Sequence, residues 1–173
     1  MSRHASLFAL TSPCNAFFRG AVIFKLIMYS RIVVLWTELI RLEDISMSSY
    51  AGNCGLYQIV TNEGGSPETE KVIYIGKTNS TFSQRIYQHL LGTGDSGGFL
   101  KAKGTKYIRF GLIPRPFKCS DKTYARMIAH AEAVDIDLLR PVYNKKSGWT
   151  IPEYRDTQVE NCYISNIINL NFI

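Results

Sequence analysis

The sequence is poor in cysteine, and its four cysteines, at positions 14, 54, 119 and 162, include no closely spaced pair. A zinc ribbon needs paired thiolates at short spacing, and a disulfide-stapled mini-domain is smaller and denser in cysteine. Both classes are therefore disfavoured. The cysteines are predicted to be free thiols in a reducing cytoplasm.

The sequence also lacks a long apolar run without charges. The apolar stretch 20–40 is interrupted by Lys25, Arg31 and Glu38. A membrane-spanning helix needs about 20 residues with few or no charges, and each charge near its centre costs about 2.5 to 3.5 kcal/mol. A membrane span is therefore not expected.

Acidic residues are fewer than basic ones, with 14 Asp and Glu against 20 Lys and Arg. The net charge of +6 and the pI near 9.2 favour an anionic partner, which is a nucleic acid, a membrane surface or an acidic protein. A hydrophobic content of 46% with 20% charged residues is ordinary for a globular domain, so wholesale disorder is excluded.

The N-terminal residues 1–46 differ in composition from the rest of the chain, and two interpretations stay open. They form an amphipathic accessory helix, or they are an upstream extension before a natural start at Met47. A membrane-surface anchor is a third and less favoured alternative. The chain is thus divided into this extension, one domain at 47–150 and an unassigned C-terminal tail at 151–173.

The hydrophobic pattern of the central region predicts the order strand, strand, helix, strand, helix. Thr81, with Gln84 three residues later, is typical of a helix N-terminus. This order predicts a small α/β (α+β) domain whose three-stranded, mostly antiparallel sheet is flanked by helices. The strands are expected at residues 54–60, 71–76 and 106–113, and the helices at residues 81–91 and 122–139.

The second predicted helix carries two carboxylates on its apolar face. Glu132 and Asp135 project among apolar residues, whereas His130 falls on the opposite, charged face. An unpaired buried charge is costly, so each carboxylate needs a partner. A buried salt bridge to an arginine and a role as metal ligand or general base both stay open, with Glu132 the stronger functional candidate.

The first predicted helix places Arg85 and His89 on one face, four residues apart. Such a pair can present two cationic or proton-donating groups to one phosphate. The alternative is an ordinary exposed surface pair, and the helix alone favours that alternative.

Positive charge is concentrated between residues 101 and 126, where eight basic residues accompany one acid, Asp121. One-sided charge of this kind along a strand and its flanking loops suits a polyanionic backbone, so this segment is predicted to bind nucleic acid. The residues expected to contact DNA are Lys77, Lys101, Lys103, Lys106 and Arg109.

Two tripeptides, Gly55-Leu56-Tyr57 and Tyr74-Ile75-Gly76, resemble the paired signature of the GIY-YIG endonuclease superfamily, with Leu in place of Ile in the first. The resemblance covers roughly residues 54–149. The gap between the two tyrosines is longer than in the family, which predicts an extended turn at 62–70. Further matches follow in the order Arg85, His89, Glu132 and Pro141-Val142-Tyr143-Asn144.

The resemblance implies a central three-stranded antiparallel sheet and cleavage of phosphodiester bonds with one divalent metal, Mg²⁺ or Mn²⁺. By position, Glu132 would be the metal ligand, and an inward carboxylate suits such a cation. Arg85 would bind the scissile phosphate and stabilise charge on its oxygens.

The resemblance also implies catalytic roles for the aromatic positions. Tyr57 would be the general base or would orient the attacking water, with Tyr74 beside it. A phenol is a poor base at pH 7 unless a neighbour or a metal-bound water draws off its proton, and His89 and Lys77 are the neighbours expected to do so. Asn144 would fix the geometry of the site by hydrogen bonding, and a purely structural role in its loop stays open as the alternative.

The sequence therefore predicts a metal-dependent endonuclease that hydrolyses DNA by in-line attack of an activated water. The alternative is a catalytically silent nucleic-acid-binding module that keeps the fold. No second DNA-targeting domain is visible in the sequence, so target specificity and oligomeric state stay open.

Overall fold

The computed structural model describes residues 31–62, 70–92, 97–144 and 151–164, which have a mixed α/β architecture. Short 3₁₀ helices lie at Leu42–Met47, Gly97–Lys101 and Pro152–Tyr154. In chain order the main elements are β1 (Arg31–Trp36), β2 (Ile40–Arg41), β3 (Gly55–Asn62), β4 (Glu70–Thr78), α1 (Phe82–Leu90), β5 (Thr105–Leu112), α2 (Asp121–Leu139) and β6 (Gln158–Tyr163).

The strands form one sheet in the order β4-β3-β5-β1-β6, with the short β2 also paired to β5. The pairs are antiparallel except for β1 with β6, which is parallel. The three predicted strands form, and they pair antiparallel as β4-β3-β5. The prediction of a three-stranded sheet is nevertheless wrong, because β1, β2 and β6 extend it to six strands.

Strand β1 is formed by the sequence RIVVLW, in which buried and more exposed residues alternate. Ile32, Val34 and Trp36 point into the core, with 1% or less of their surface exposed. Residues 31–36 are therefore a strand, not part of an accessory helix, and residues 20–30 lie outside the described residues. Since β6 lies in the predicted tail, the sheet continues across both predicted domain boundaries.

The two helices lie against two separate apolar clusters of the sheet. On one side, Phe82 and Ile86 of α1 pack with Tyr57, Ile59 and Phe110. The other cluster contains α2 residues together with residues of β1 and β3, namely Met127, Ile128, Ala131, Ile32, Val34, Trp36 and Leu56. The sheet thus separates the surroundings of α1 from those of α2.

Both helices begin at side-chain caps. Thr81 Oγ1 accepts a hydrogen bond from the Gln84 amide at 3.3 Å, as the sequence predicts. Ser120 caps α2 through the Thr123 amide at 3.1 Å, so this helix begins one residue before the predicted start. It ends at Leu139, and the next residue, Arg140, adopts a left-handed conformation (φ 46°) directly before Pro141.

Two further predictions concern the membrane and the cysteines. No helix within the described ranges is long and apolar enough to cross a membrane. Cys54, Cys119 and Cys162 are free thiols, as expected from their spacing, while Cys14 lies outside the described residues. Of the predicted extended turn at 62–70, Asn62 is the last residue of β3 and Glu70 the first of β4, and residues 63–69 lie outside the described residues.

Candidate active site along strand β4

The site residues singled out in the sequence meet along four consecutive residues of β4. Tyr74 belongs to the strand, Ile75 is held through its backbone, Gly76 lies under a tyrosine side chain, and Lys77 forms an ion pair. Strand β4 is the first in the order β4-β3-β5-β1-β6, so only one of its long edges is occupied by a strand of this path. A single strand thus connects groups contributed by β3, by both helices and by the segment after α2.

Tyr57, Tyr74 and His89 form a buried cluster on the α1 side of the sheet, called here the tyrosine–histidine cluster. The Tyr57 hydroxyl and His89 Nε2 share a hydrogen bond of 2.7 Å. The two tyrosine rings lie 6.0 Å apart, and Tyr74 meets His89 edge-on at 5.8 Å. Phe99 stacks on Tyr74 at 5.1 Å and closes the cluster. Tyr57 and His89 have no exposed surface, whereas Tyr74 retains 8%.

Gly76 allows the Tyr57 side chain to cross β4. Tyr57 pairs with Gly76 across the β3–β4 ladder, and its ring lies over the glycine. A Cβ at position 76 would overlap the Tyr57 hydroxyl oxygen and Cζ and would lie 2.9 Å from Cε2. Gly76 is therefore required because the Tyr57 ring approaches the backbone of β4 too closely for any side chain at this position.

Burial keeps both hydrogen-bonded partners of the tyrosine–histidine cluster neutral at pH 7. Desolvation raises the pKa of Tyr57 far above its ordinary value, and the nearby Tyr74 raises it further. The charge and hydrogen bonding of Arg85 act in the opposite direction but do not overcome burial. Burial, followed by the charge of Arg85, lowers the pKa of His89 to about 4. Tyr57 is thus held as a phenol, which disfavours its predicted role as general base.

Arg85 lies beside the tyrosine–histidine cluster at the border with solvent. The residue is half-buried, and its Nη1 donates to Gln88 Oε1 at 3.3 Å. Its charge influences the pKa of both Tyr57 and His89, so the guanidinium is close to both rings. Arg85 and His89 therefore lie close together. His89 is buried, however, so of these two side chains only Arg85 can reach solvent.

Lys77 and Glu132 form an ion pair between β4 and α2, through Nζ and Oε2. The Lys77 side chain is 36% exposed and the Glu132 side chain 16%, so the ion pair is partly buried but still accessible to solvent. The partner of the inward carboxylate is thus Lys77, not an arginine. Because Lys77 lies three positions after Tyr74 along an extended strand, their side chains leave opposite faces of the sheet.

Asn144 binds the backbone of β4 at the outer edge of the sheet. Its Oδ1 accepts from the Ile75 amide at 2.9 Å, and its Nδ2 donates to the Ile75 carbonyl at 2.7 Å. Beside it, the Tyr143 amide donates to the Ile73 carbonyl at 3.0 Å. The segment after α2 therefore satisfies edge groups of β4 and fixes the strand between Tyr74 and Lys77.

A divalent metal at this site would be held by Glu132. No group of three or more His, Cys, Asp or Glu side chains suited to a metal lies within the described part of the chain. Mg²⁺ is nevertheless commonly bound through one or two carboxylates together with substrate phosphates and water. The partly exposed carboxylate of Glu132, whose Oε2 is shared with Lys77 of β4, fits that donor set.

The predicted DNA contacts do not all lie near Lys77. Lys77 is opposite Leu56 on β3, whereas Lys106 is opposite Thr61, five residues further along the same strand and about 17 Å away. Lys106 Nζ donates to the Ala102 carbonyl at 2.8 Å. Lys101 and Lys103, just before β5, are exposed. This basic group lies towards the far end of the sheet.

Arg109 has local partners that reduce its availability to DNA. Its Nη2 contacts Glu70 Oε2 at 3.2 Å, and its guanidinium carbon lies 5.2 Å from the centre of the Tyr163 ring. Only 14% of the side chain is exposed. These contacts indicate that Arg109 joins β4, β5 and β6.

A buried polar network beneath α2 was missed from the sequence. Trp36 Nε1 donates to Asn161 Oδ1 at 2.7 Å, and Asn161 Nδ2 donates to Asp135 Oδ1 at 2.7 Å. His130, predicted on the charged face of the helix, is only 1% exposed, and its ring centre lies 5.5 Å from that of Tyr154. The inward position of Asp135 was the one signal for this network, since its partners lie on strands that the sequence did not reveal.

The buried carboxyl group of Asp135 is expected to make the free energy of unfolding depend on pH. Among the described residues its Oδ2 has no hydrogen-bond partner, and burial raises its pKa to about 6, with the Asn161 hydrogen bond opposing the shift. The folded state therefore holds the proton more tightly than the unfolded state, so this group stabilises the fold at acid pH and the contribution is lost as pH rises through about 6.

We expect Asp135→Asn to raise the free energy of unfolding by about 1 to 3 kcal/mol at pH 8 and to change it little at pH 4.5. The substitution keeps an oxygen for Asn161 and removes the buried charge. Urea unfolding at both pH values measures the difference, with the exposed Asp137→Asn as control. Equal effects at the two pH values would contradict the assignment.

Comparisons of the chain with protein-family models, with curated proteins and with solved structures gave no significant match. The geometry and chemistry of the described residues therefore carry the functional proposal.

Proposed function

We propose that the protein is a metal-dependent endonuclease of the GIY-YIG type that hydrolyses DNA phosphodiester bonds. The observation that carries the proposal is the convergence on residues 74–77 of β4. Tyr57, Glu132 and Asn144 come from three other segments of the chain and each contacts one of those four residues, while Arg85 of α1 lies beside Tyr57. The antiparallel order β4-β3-β5 with a helix on each side is also the arrangement that the resemblance implies.

The charged groups supply binding and charge stabilisation in this proposal. Arg85 contacts an oxygen of the scissile phosphate and neutralises the charge that develops there. Glu132 would hold Mg²⁺ or Mn²⁺ on the α2 side of β4, and Lys77, its partner in the ion pair, would contact a backbone phosphate on that side. The chemistry that a bound metal supplies is stabilisation of charge on the phosphate and leaving-group oxygens.

The tyrosine–histidine cluster divides into a supporting part and a reactive part. Tyr57 and His89 are fully buried and neutral, so they hold the position of Arg85 and Tyr74 without contacting water. Tyr74 keeps exposed surface and orients the attacking water. Asn144 fixes β4 through Ile75, so that Tyr74 and Lys77 keep their places on either side of the strand.

One observation favours the alternative of a catalytically silent nucleic-acid-binding module. Glu132 already has a cationic partner, and an ion pair between α2 and β4 could hold the fold without any metal. The net charge of +6 would serve such a module equally well. The two functions differ only in the breaking of a phosphodiester bond.

The test is incubation of the purified protein with supercoiled plasmid in Mg²⁺ or Mn²⁺, with EDTA as control. The nuclease proposal predicts nicked or linear DNA with metal and intact plasmid with EDTA. DNA binding without cleavage under either metal would support the silent module.

The free thiols at positions 54, 119 and 162 fit the further proposal of a reducing, cytoplasmic location.

A further inference from the structure

The segment between β5 and α2, residues 113–120, exposes a large aromatic side chain and is called here the Phe117 loop. Phe117 is 86% exposed, although burial of a phenylalanine is strongly favourable. Neither the fold nor the proposed catalytic chemistry uses this ring. Phe117 is the most exposed aromatic side chain among the described residues.

Hydrogen bonds and prolines fix the shape of the Phe117 loop. The Cys119 amide donates to the Pro116 carbonyl at 3.1 Å and closes the turn that carries Phe117. Arg115 donates to the Cys119 carbonyl through Nε at 3.1 Å and through Nη2 at 2.6 Å, and Nη2 also contacts Asp121. Lys118 adopts a left-handed conformation (φ 59°), which costs free energy for a residue with a side chain. The backbone that carries the exposed ring is thus held in place before any partner binds.

Positive charge surrounds the ring. Lys118 Nζ lies 5.5 Å from the centre of the Phe117 ring, and Lys122 is exposed in the first turn of α2. Asp121 is paired with Arg115, so it does not offset these two lysines. An aromatic face beside exposed cations matches a nucleic-acid base next to its phosphates, and it suits an apolar protein surface poorly.

The Phe117 loop leaves the sheet at the end where Lys77 lies. Gly111, the next-to-last residue of β5, pairs with Leu56 of β3, and Leu56 pairs with Lys77 of β4. Two strand spacings separate Gly111 from Lys77, which is about 10 Å. The strand that leads into the Phe117 loop thus ends near Lys77, at the same end of the sheet.

We infer that Phe117 stacks on an unpaired base of the bound DNA, while Lys118 and Lys122 contact the adjoining phosphates. Bases inside a regular duplex are stacked on both sides and offer no free face to the ring. The preferred substrate is consequently DNA with an unpaired nucleotide close to the cut, such as a gap, a bulge or a single-stranded branch. This inference rests on the proposed function for the position of the DNA.

The inference is tested by binding of labelled oligonucleotides to the full chain in EDTA, where no cleavage interferes. The probes are a blunt duplex and the same duplex with a short single-stranded gap. Loss of one aromatic–base stack is worth about 5-fold to 150-fold in affinity, so Phe117→Ala and Phe117→Leu should weaken gapped-DNA binding in that range. Blunt-duplex binding should change less than about two-fold. Met47→Ala, which removes another 86% exposed apolar side chain, should leave both affinities unchanged.

A second readout reports stacking directly. Phe117→Trp should retain the affinity for gapped DNA, and its fluorescence should be quenched on binding beyond the change seen in the wild-type chain. Equal affinity of Phe117→Leu and wild type for gapped DNA would overturn the inference, as would an equal loss on both probes. Because these measurements are made without metal, a chain that discriminates through Phe117 but never cleaves DNA refutes only the nuclease proposal. A chain that cleaves but does not discriminate refutes only the stacking.

Discussion

A chain that begins at Met47 is expected not to fold. Its missing segment includes β1, which lies between β5 and β6 in the sheet and contributes Ile32, Val34 and Trp36 to the core. Removal of one large buried side chain costs about 2 to 5 kcal/mol, and total stabilities are about 5 to 15 kcal/mol. Loss of three such side chains together with a strand therefore exceeds the stability available.

Circular dichroism and urea unfolding of the truncated chain measure this effect. We expect no cooperative transition for the chain that begins at Met47. Trp36→Ala in the full chain should still fold but lose about 3 to 5 kcal/mol, because Trp36 is fully buried and donates to Asn161. Glu38→Ala, an exposed change two residues away, is the control. A truncated chain with the urea midpoint of the full chain would show that β1 is dispensable.

Gly76→Ala is expected to damage both stability and the proposed activity. The added methyl group would overlap the Tyr57 hydroxyl and ring, and Tyr57 cannot swing away because His89, Tyr74 and the sheet enclose it. Overpacking of this kind costs about 1 to 3 kcal/mol. Displacing Tyr57 also moves the groups it positions, and a shift of about 1 Å in a site can lower a rate about 100-fold.

The matched control is Gly52→Ala, because a Cβ at Gly52 would meet no atom within 4 Å. We expect the control to keep both the urea midpoint and the plasmid-cleavage rate of wild type. Gly76→Ala with unchanged stability would contradict the close approach of Tyr57. If stability fell and the cleavage rate did not, the tyrosine–histidine cluster would be unconnected to catalysis.

The strands and helices that could be predicted are those whose sequence pattern lies within one short stretch of the chain. Strands β3, β4 and β5 consist of short runs bounded by turn residues, and α1 begins at the predicted Thr81 cap. Strand β1 was missed because its alternating residues lie inside a longer apolar stretch broken by charges. Strand β6 has the mixed sequence QVENCY, and no residue in it is fully buried.

Partners distant in sequence could not be predicted for the site. The inward direction of Glu132 follows from helix periodicity, but its pairing with Lys77 across 55 residues depends on the packing of α2 on β4. Likewise, the pattern marks Asn144 as a site residue, yet its attachment to the backbone of Ile75 is visible only in the fold. Burial of Tyr57, which sets its neutral state, is also a property of the packed cluster.

The central claim is that Glu132 serves cleavage and not merely the fold, and one paired measurement on Glu132→Gln tests it most directly. The cleavage rate in Mg²⁺ and the affinity for the same DNA in EDTA are compared with wild type, with the exposed Glu43→Gln as control. Removing a group that acts on the transition state typically costs about 100-fold to 1,000-fold, so cleavage should fall by at least 100-fold while affinity changes less than about two-fold. Cleavage at the wild-type rate, or an equal loss of affinity and cleavage, would contradict the claim.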